Sequence, residues 1–166
     1  MSHPKKHAVL VIGHSRPDHM SRVLSKIAIH FPDKLYIFID GVAENSTQRL
    51  IESHDKVVTL ANNCNSAKNV KVNISKTNLG CGISCSNAID WALSTENEII
   101  ILEDDVLPGP DFFNYMDKNL IELNQSDCMM ISSNKFDRFP QFKNSIKTKF
   151  TFMSGWATWK RAWNKY

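Results

Sequence analysis

Apolar residues along this chain follow two alternating patterns: short unbroken runs, and stripes at three- and four-residue steps. His7–Ile12 (HAVLVI) is an unbroken run halted by Gly13, which predicts a strand buried on both faces, as in a parallel sheet. Pro17-Asp18 then opens a helix whose Met20, Val23, Leu24, Ile27 and Phe31 share one face, and Pro32 ends it. Leu35–Ile39 (LYIFI) is a second buried strand and runs into Asp40-Gly41. Over 45–61 two readings compete. Val57, Val58 and Leu60 have strand propensity, but Leu50, His54, Val57, Val58 and Ala61 keep helical spacing. The spacing predicts one long helix, with a polar loop over Asn62–Asn69 after it.

Val70, Val72 and Ile74 alternate with polar residues, which predicts a half-exposed strand. A glycine turn over Asn78–Gly82 leads into a helical stripe of Cys85, Ala88, Ile89, Ala92 and Leu93. Ile99–Leu102 (IIIL), the most apolar run, is a fourth strand that ends in Glu103-Asp104-Asp105. Beyond the breaker Pro108-Gly109-Pro110, Asp111 is placed to cap a helix through Asn124, with Phe112, Met116, Leu120 and Leu123 inward. Cys128–Ile131 reads as a short strand, Asp137–Lys149 as a polar loop able to move, and Phe150–Met153 as extended chain. Gly155 turns the chain, and Ala157–Tyr166 begins a helix. Strands alternating with helices over 166 residues predict a single domain, 1–166, built as a three-layer α/β/α sandwich on a mostly parallel sheet.

Composition removes several classes of function. The hydrophobic fraction of 42% and charged fraction of 22% are ordinary for a globular chain. Lys and Arg number 20 against 17 Asp and Glu, a formal charge of +3, so no nucleic-acid partner is expected. A weak basic cluster at Lys143, Lys147 and Lys149 reads as a solvated loop. Apolar runs such as Ala8–Ile12 fall far short of a transmembrane segment, and Met1–His7 has no secretory signal pattern. Cys64, Cys81, Cys85 and Cys128 have no zinc-site spacing and read as reduced thiols. The expected location is the cytoplasm, with peripheral attachment at an inner membrane left open.

The chemistry lies at the carboxyl end of each buried strand. The first ends in Gly13-His14-Ser15-Arg16, the second in Asp40-Gly41, the fourth in Glu103-Asp104-Asp105. An open parallel sheet lines up the carboxyl ends of its strands, so one arginine and several carboxylates arrive at one rim. Carboxylates hold a hard divalent cation, and the cation offsets the charge of a diphosphate. Arg16 can make charge-assisted hydrogen bonds to phosphate or a base carbonyl, and Asp40 can accept from a nucleobase N–H or a ribose hydroxyl. On an extended chain Glu103 and Asp105 would point to one side and Asp104 to the other. Taken singly, an acidic turn is as readily a solvated loop, or a general acid–base dyad; Arg16 and Asp40 tip the reading toward a site. His14 and His19 read as surface residues. The Asn78–Gly82 turn either hugs a ligand or serves a tight bend. Trp159 and Trp163, four apart, read as one packed helix face, which leaves Trp156 as the indole placed to stack on a sugar ring.

Five segments, VLVIGHSRP (9–17), IFIDG (37–41), NLGCG (78–82), ILEDDVLPGPDFF (101–113) and FMSGWATWKRAW (152–163), resemble in kind and order those of GT-A glycosyltransferases. The resemblance is to the branch of N-acetylglucosaminyltransferase I and related bacterial sugar transferases, and it covers nearly the whole chain. It implies the GT-A, nucleotide-diphospho-sugar transferase type of fold. Asp105 would ligate Mn²⁺ or Mg²⁺, and Glu103 and Asp104 would contact donor sugar and ribose. Arg16 and Asp40 would hold the uridine of a UDP-sugar, with Gly155-Trp156 near donor sugar and acceptor. The reaction implied is inverting transfer to a glycan hydroxyl. In such enzymes the general base lies beyond the Gly-Trp segment, yet 157–166 holds no acidic residue. The resemblance therefore places the base beyond Tyr166, so the chain is expected to be the N-terminal part of a longer enzyme or a truncated one. The alternatives are a nucleotide-sugar-binding module without turnover and, ranked lower, a sugar nucleotidyltransferase, for which GHSRP is a poor phosphate loop.

Overall fold

A computed structural model describes residues 5–133 and 147–165. Among them the order is β1 (Ala8–Gly13), α1 (Pro17–His30), β2 (Lys34–Ile39), α2 (Gln48–Asn62), β3 (Asn69–Ile74), α3 (Cys81–Leu93), β4 (Glu98–Glu103), α4 (Phe112–Glu122), β5 (Met130–Ser132), β6 (Trp156–Trp159) and α5 (Lys160–Trp163). The strands form one sheet in the order β3-β2-β1-β4-β6-β5. The first four are parallel, and β6 runs antiparallel to both β4 and β5.

The unbroken apolar runs are explained by burial on both faces. In β1, Val9 and Val11 face one core while Ala8, Leu10 and Ile12 face the other. Side chains alternate across a strand, so a sheet covered on both sides needs apolar residues at every position. α1, α2 and α4 cover the first face through Met20, Val23, Ile27, Val57, Ala61, Met116 and Leu120. α3 covers the second through Ala88, Ile89, Ala92 and Leu93. The three layers are thus as expected, and the helical spacing over 45–61 prevails over the strand propensity of its valines.

Four expectations change. Trp156–Trp159 is a strand, not the start of a helix, and α5 begins only at Lys160. Its register across β4 pairs Ile101 with Trp156 and Glu98 with Trp159, so β6 bonds to the neighbouring strand before its own helical residues begin. Trp159 and Trp163 consequently do not share a helix face. Trp159 is buried on the α4 side and donates its indole N–H to the Leu120 carbonyl at 3.2 Å. Trp163 packs on the α3 side and donates to Asp90 Oδ1 at 2.6 Å. Phe31 leaves the inward stripe of α1: it sits at the C-cap with φ 51°, a left-handed position, and is 41% exposed. Asp111 occupies the N-cap position of α4 but makes no side-chain capping bond. Phe150–Met153 lies outside any strand, and most of the expected loop at Asp137–Lys149 falls outside the described residues.

Candidate functional site

The topology places a crevice beside β1. The chain steps from β1 to β2 to β3 in one direction, then crosses back to β4 on the opposite side of β1. Where a doubly wound sheet reverses in this way, the loops after the two central strands part and leave space at their carboxyl ends. Those loops carry Arg16 and the acidic triplet.

Asp104 prolongs the β1–β4 ladder by one bond, its N–H donating to the Ile12 carbonyl at 3.0 Å. Its carboxylate lands beside Gly13, where a Cβ would overlap the end of Met20 and stand 3.5 Å from Asp104 Oδ2. The strand stops at Glu103, and the Val106 N–H turns back to the Glu103 carbonyl at 3.0 Å. That turn cancels the alternation expected of an extended triplet. Asp104 and Asp105 converge instead of diverging, and the Arg16 guanidinium lies across both. One nitrogen donates to Asp104 Oδ1 and the other to Asp105 Oδ2 at 2.8 Å. The Asp104 side chain is 1% exposed, Asp105 42% and Arg16 49%.

The electrostatics reflect this packing. Burial opposes the charge on Arg16, but hydrogen bonds and attraction from Asp104 and Asp105 outweigh it and raise its pKa. Glu103 is raised too, first by burial and then by the charges of Asp105 and Asp104, with Arg16 pulling it part of the way back. Asp104 Oδ2 is buried without a protein partner. An orphaned buried carboxylate oxygen carries a desolvation penalty until a cation or donor meets it.

On the other side of β1 stands Asp40. Its N–H donates to the Gly13 carbonyl at 3.0 Å, so Asp40 and Asp104 flank the end of the same strand. With neighbouring strands about 5 Å apart, their backbones lie about 10 Å apart. The Asp40 carboxylate is 6% exposed and accepts three backbone N–H groups: Gly41 at 3.0 Å, Leu79 at 2.9 Å and Gly80 at 3.1 Å. It thereby fastens the Asn78–Gly80 turn to the rim. Gly41 is required here, since a Cβ would meet the Thr77 carbonyl carbon and oxygen at 2.7 Å.

Three further residues complete this side. His14 and Asn78 donate to the Gly41 carbonyl at 3.1 and 2.9 Å, and His54 donates to the Asp40 carbonyl at 2.9 Å. His14 is half-buried rather than a plain surface residue, and its ring stands edge-on to His54 at 5.8 Å. Contacts to main-chain carbonyls leave no residue pattern, so the chain shows where His14, His54 and Asn78 stand but not what they bond to.

At the far side of the acidic loop a recess of about 490 Å³ is lined by Asp105, Leu107, Pro108, Phe112, Ser133 and Ser154 among others. Gly155 follows Ser154 at φ +74°, where a Cβ would come within 3.0 Å of Phe112. Trp156 is buried to 7% exposure and packs on the α3 side of the sheet, so its indole is not a stacking surface for a sugar. The Gly155 carbonyl accepts from the Ser133 hydroxyl at 3.2 Å. The rim thus joins Arg16, Asp104 and Asp105 directly, with Asp40 across β1 and Gly155 beside the recess.

Residues 10–165 match the family described as glycosyltransferase family 25 (LPS biosynthesis protein). The chain belongs to that family, and nothing in its similarities supports the narrower likeness to the N-acetylglucosaminyltransferase I branch. No curated protein matches. Among solved structures, the glycosyltransferase GlyE of Streptococcus pneumoniae TIGR4 is similar over 97% of this chain at 11% identity, with a TM-score of 0.46. The chain spans 36% of that structure's length. Among the described residues no helix is long and apolar enough to cross a membrane.

Proposed function

We propose that this chain forms the donor-binding part of a glycosyltransferase that transfers a sugar from a UDP-sugar to a glycan hydroxyl by inverting displacement. The observation that carries the reading is the convergence of Arg16, Asp104 and Asp105 at the point where the sheet reverses, opposite the turn held by Asp40. The carboxylate-rich side would hold a divalent cation and, with it, the diphosphate. The wall of Gly41 and Asn78 receives the nucleoside, and the recess beside Ser133 and Ser154 receives the sugar. The family's description makes a lipopolysaccharide glycan the favoured acceptor class.

Residues present fit a hard cation such as Mn²⁺ or Mg²⁺. Asp105 offers a half-exposed carboxylate at the mouth of the recess, and Asp104 Oδ2 lacks a protein partner. Among the described residues no three His, Cys, Asp or Glu side chains form a metal cage. An ion at this rim would be held by one or two carboxylates and completed by phosphate oxygens. When bound, such an ion supplies Lewis-acid stabilisation of the departing diphosphate. Arg16 adds a fixed positive charge, Glu103 keeps the local field negative, and Asp40 holds the turn that bounds the nucleoside.

The test is thermal unfolding with UDP and Mn²⁺, singly and together. Stabilisation of about 2.7 kcal/mol is expected at 100 times Kd when both are present. UDP release from a panel of UDP-sugars, with and without saccharide acceptors, then separates a transferase from a binding module. A chain that UDP fails to stabilise at any Mn²⁺ concentration overturns the reading.

A further inference from the structure

Arg16 occupies the place that a cation bound to this rim would need. Its guanidinium bridges Asp104 and Asp105 with two separate nitrogens, and Asp105 also lines the recess. Asp104, at 1% exposure, cannot be left without a positive partner at low cost, since an unpaired buried carboxylate carries a heavy desolvation penalty. Arg16 itself is half-exposed, just after the end of β1, and its long side chain can swing toward solvent. Either Arg16 or an added cation can satisfy the pair.

From this we infer that Arg16 is a built-in counter-ion that keeps bare divalent cations out of the rim and yields the carboxylates only when a diphosphate arrives to take its guanidinium. The inference rests on the nucleotide–cation reading above and adds an order to it: cation and diphosphate enter as a unit. Arginine suits the exchange because its planar fork matches two carboxylate oxygens in one state and two phosphate oxygens in the other. If the bridged state holds about 90–99% of the free protein, a bare cation sees only the remaining fraction, and its apparent affinity falls by about ten- to a hundred-fold. A diphosphate removes that handicap, which makes cation and nucleotide binding cooperative through one side chain.

The experiment titrates Mn²⁺ into the whole chain with and without UDP, reading the free-ion signal by electron paramagnetic resonance, for wild type, Arg16→Gln and Arg16→Lys. Wild type is expected to bind Mn²⁺ weakly alone and at least about ten-fold more tightly with UDP. Both variants should bind Mn²⁺ alone more tightly than wild type and gain less from UDP. Lysine is the decisive case. It retains the charge but cannot bridge two carboxylates with a rigid fork, so tighter binding there separates occupancy from simple charge repulsion. Arg16→Lys behaving like wild type toward bare Mn²⁺ overturns the inference while leaving the donor site intact. Absence of Mn²⁺ binding in all three proteins, with UDP present, overturns the donor site and the inference together.

Discussion

The two ends of this sheet carry similar numbers of ionisable groups and use them in opposite ways. At the amino end of β1 the charges alternate. Asp117 accepts from the His7 backbone N–H at 2.9 Å and meets the His7 ring at 2.7 Å, and His30 lies 3.5 Å from its second oxygen. Glu98 stands 3.2 Å from the other His7 ring nitrogen and pairs with Lys5, while Lys6 donates to the His30 carbonyl. At the carboxyl end two consecutive carboxylates, Asp104 and Asp105, share one arginine beside a third at Glu103, and a buried oxygen of Asp104 goes unmet. Alternation of sign tacks β1, β4, α1 and α4 together. Concentration of one sign leaves like charges close together at a cost in stability, as functional sites often do.

Single substitutions should separate a fastening from a binding rim. Asp117→Ala strands the His7 N–H and leaves two buried imidazoles without their shared carboxylate. It should lower unfolding stability by about 3 kcal/mol in urea titrations, with the UDP affinity of the folded fraction unchanged. Asp105→Ala should do the reverse. Its carboxylate is 42% exposed, so the free protein should change by under about 0.5 kcal/mol, while the joint stabilisation by UDP and Mn²⁺ is lost. A large stability loss in Asp105→Ala would erase the distinction between the two ends.

How much of this is legible in the sequence depends on how local the signal is. β1, β2 and β4 are continuous apolar runs and α1 to α4 are three- and four-residue stripes, so periodicity alone finds them. Trp156–Trp159 escapes such a reading because four residues carry no period. Its strand state comes from pairing with β4 and β5, which lie far away in sequence. For the rim, position at a strand end identifies Arg16, Asp40 and the acidic triplet. Local geometry within the triplet is hidden, because the turn from Glu103 to Val106 breaks the alternation of extended chain. Charge marks Asp40 as a ligand contact, but its three bonds to backbone N–H groups give it a building role that no residue pattern announces.

Gly155 offers a milder probe of the rim. At φ +74° any side chain is strained, and its Cβ would come within 3.0 Å of Phe112 and 3.2 Å of Val106. Gly155→Ala should cost about 1–2 kcal/mol and shift Phe112 into the recess, measured as a lower urea midpoint together with weaker retention of UDP-sugar relative to UDP. Equal weakening for UDP and UDP-sugar would move the sugar pocket elsewhere.

The smallest effect is the one with opposite sign at the two ends. Glu103 has its pKa raised above the ordinary 4.5 in the folded chain, so the folded state binds its proton more readily than the unfolded one. Its contribution is present at low pH and lost as pH rises through the folded value. His30, facing Asp117, Lys6 and His7, is lowered below 6.5, chiefly by burial. Its contribution is present above 6.5 and lost as pH falls through the folded value. Acidification below 6.5 therefore loosens the end around His30, and acidification toward 4.5 relieves the rim at Glu103. In urea titrations across this range, Glu103→Gln should lose the gain on acidification, so its stability falls more steeply than that of wild type. His30→Asn should lose the penalty and fall less steeply. If Glu103→Gln tracks the wild-type profile throughout, burial and like charges at the rim store no strain, and the contrast between the two ends reduces to geometry alone.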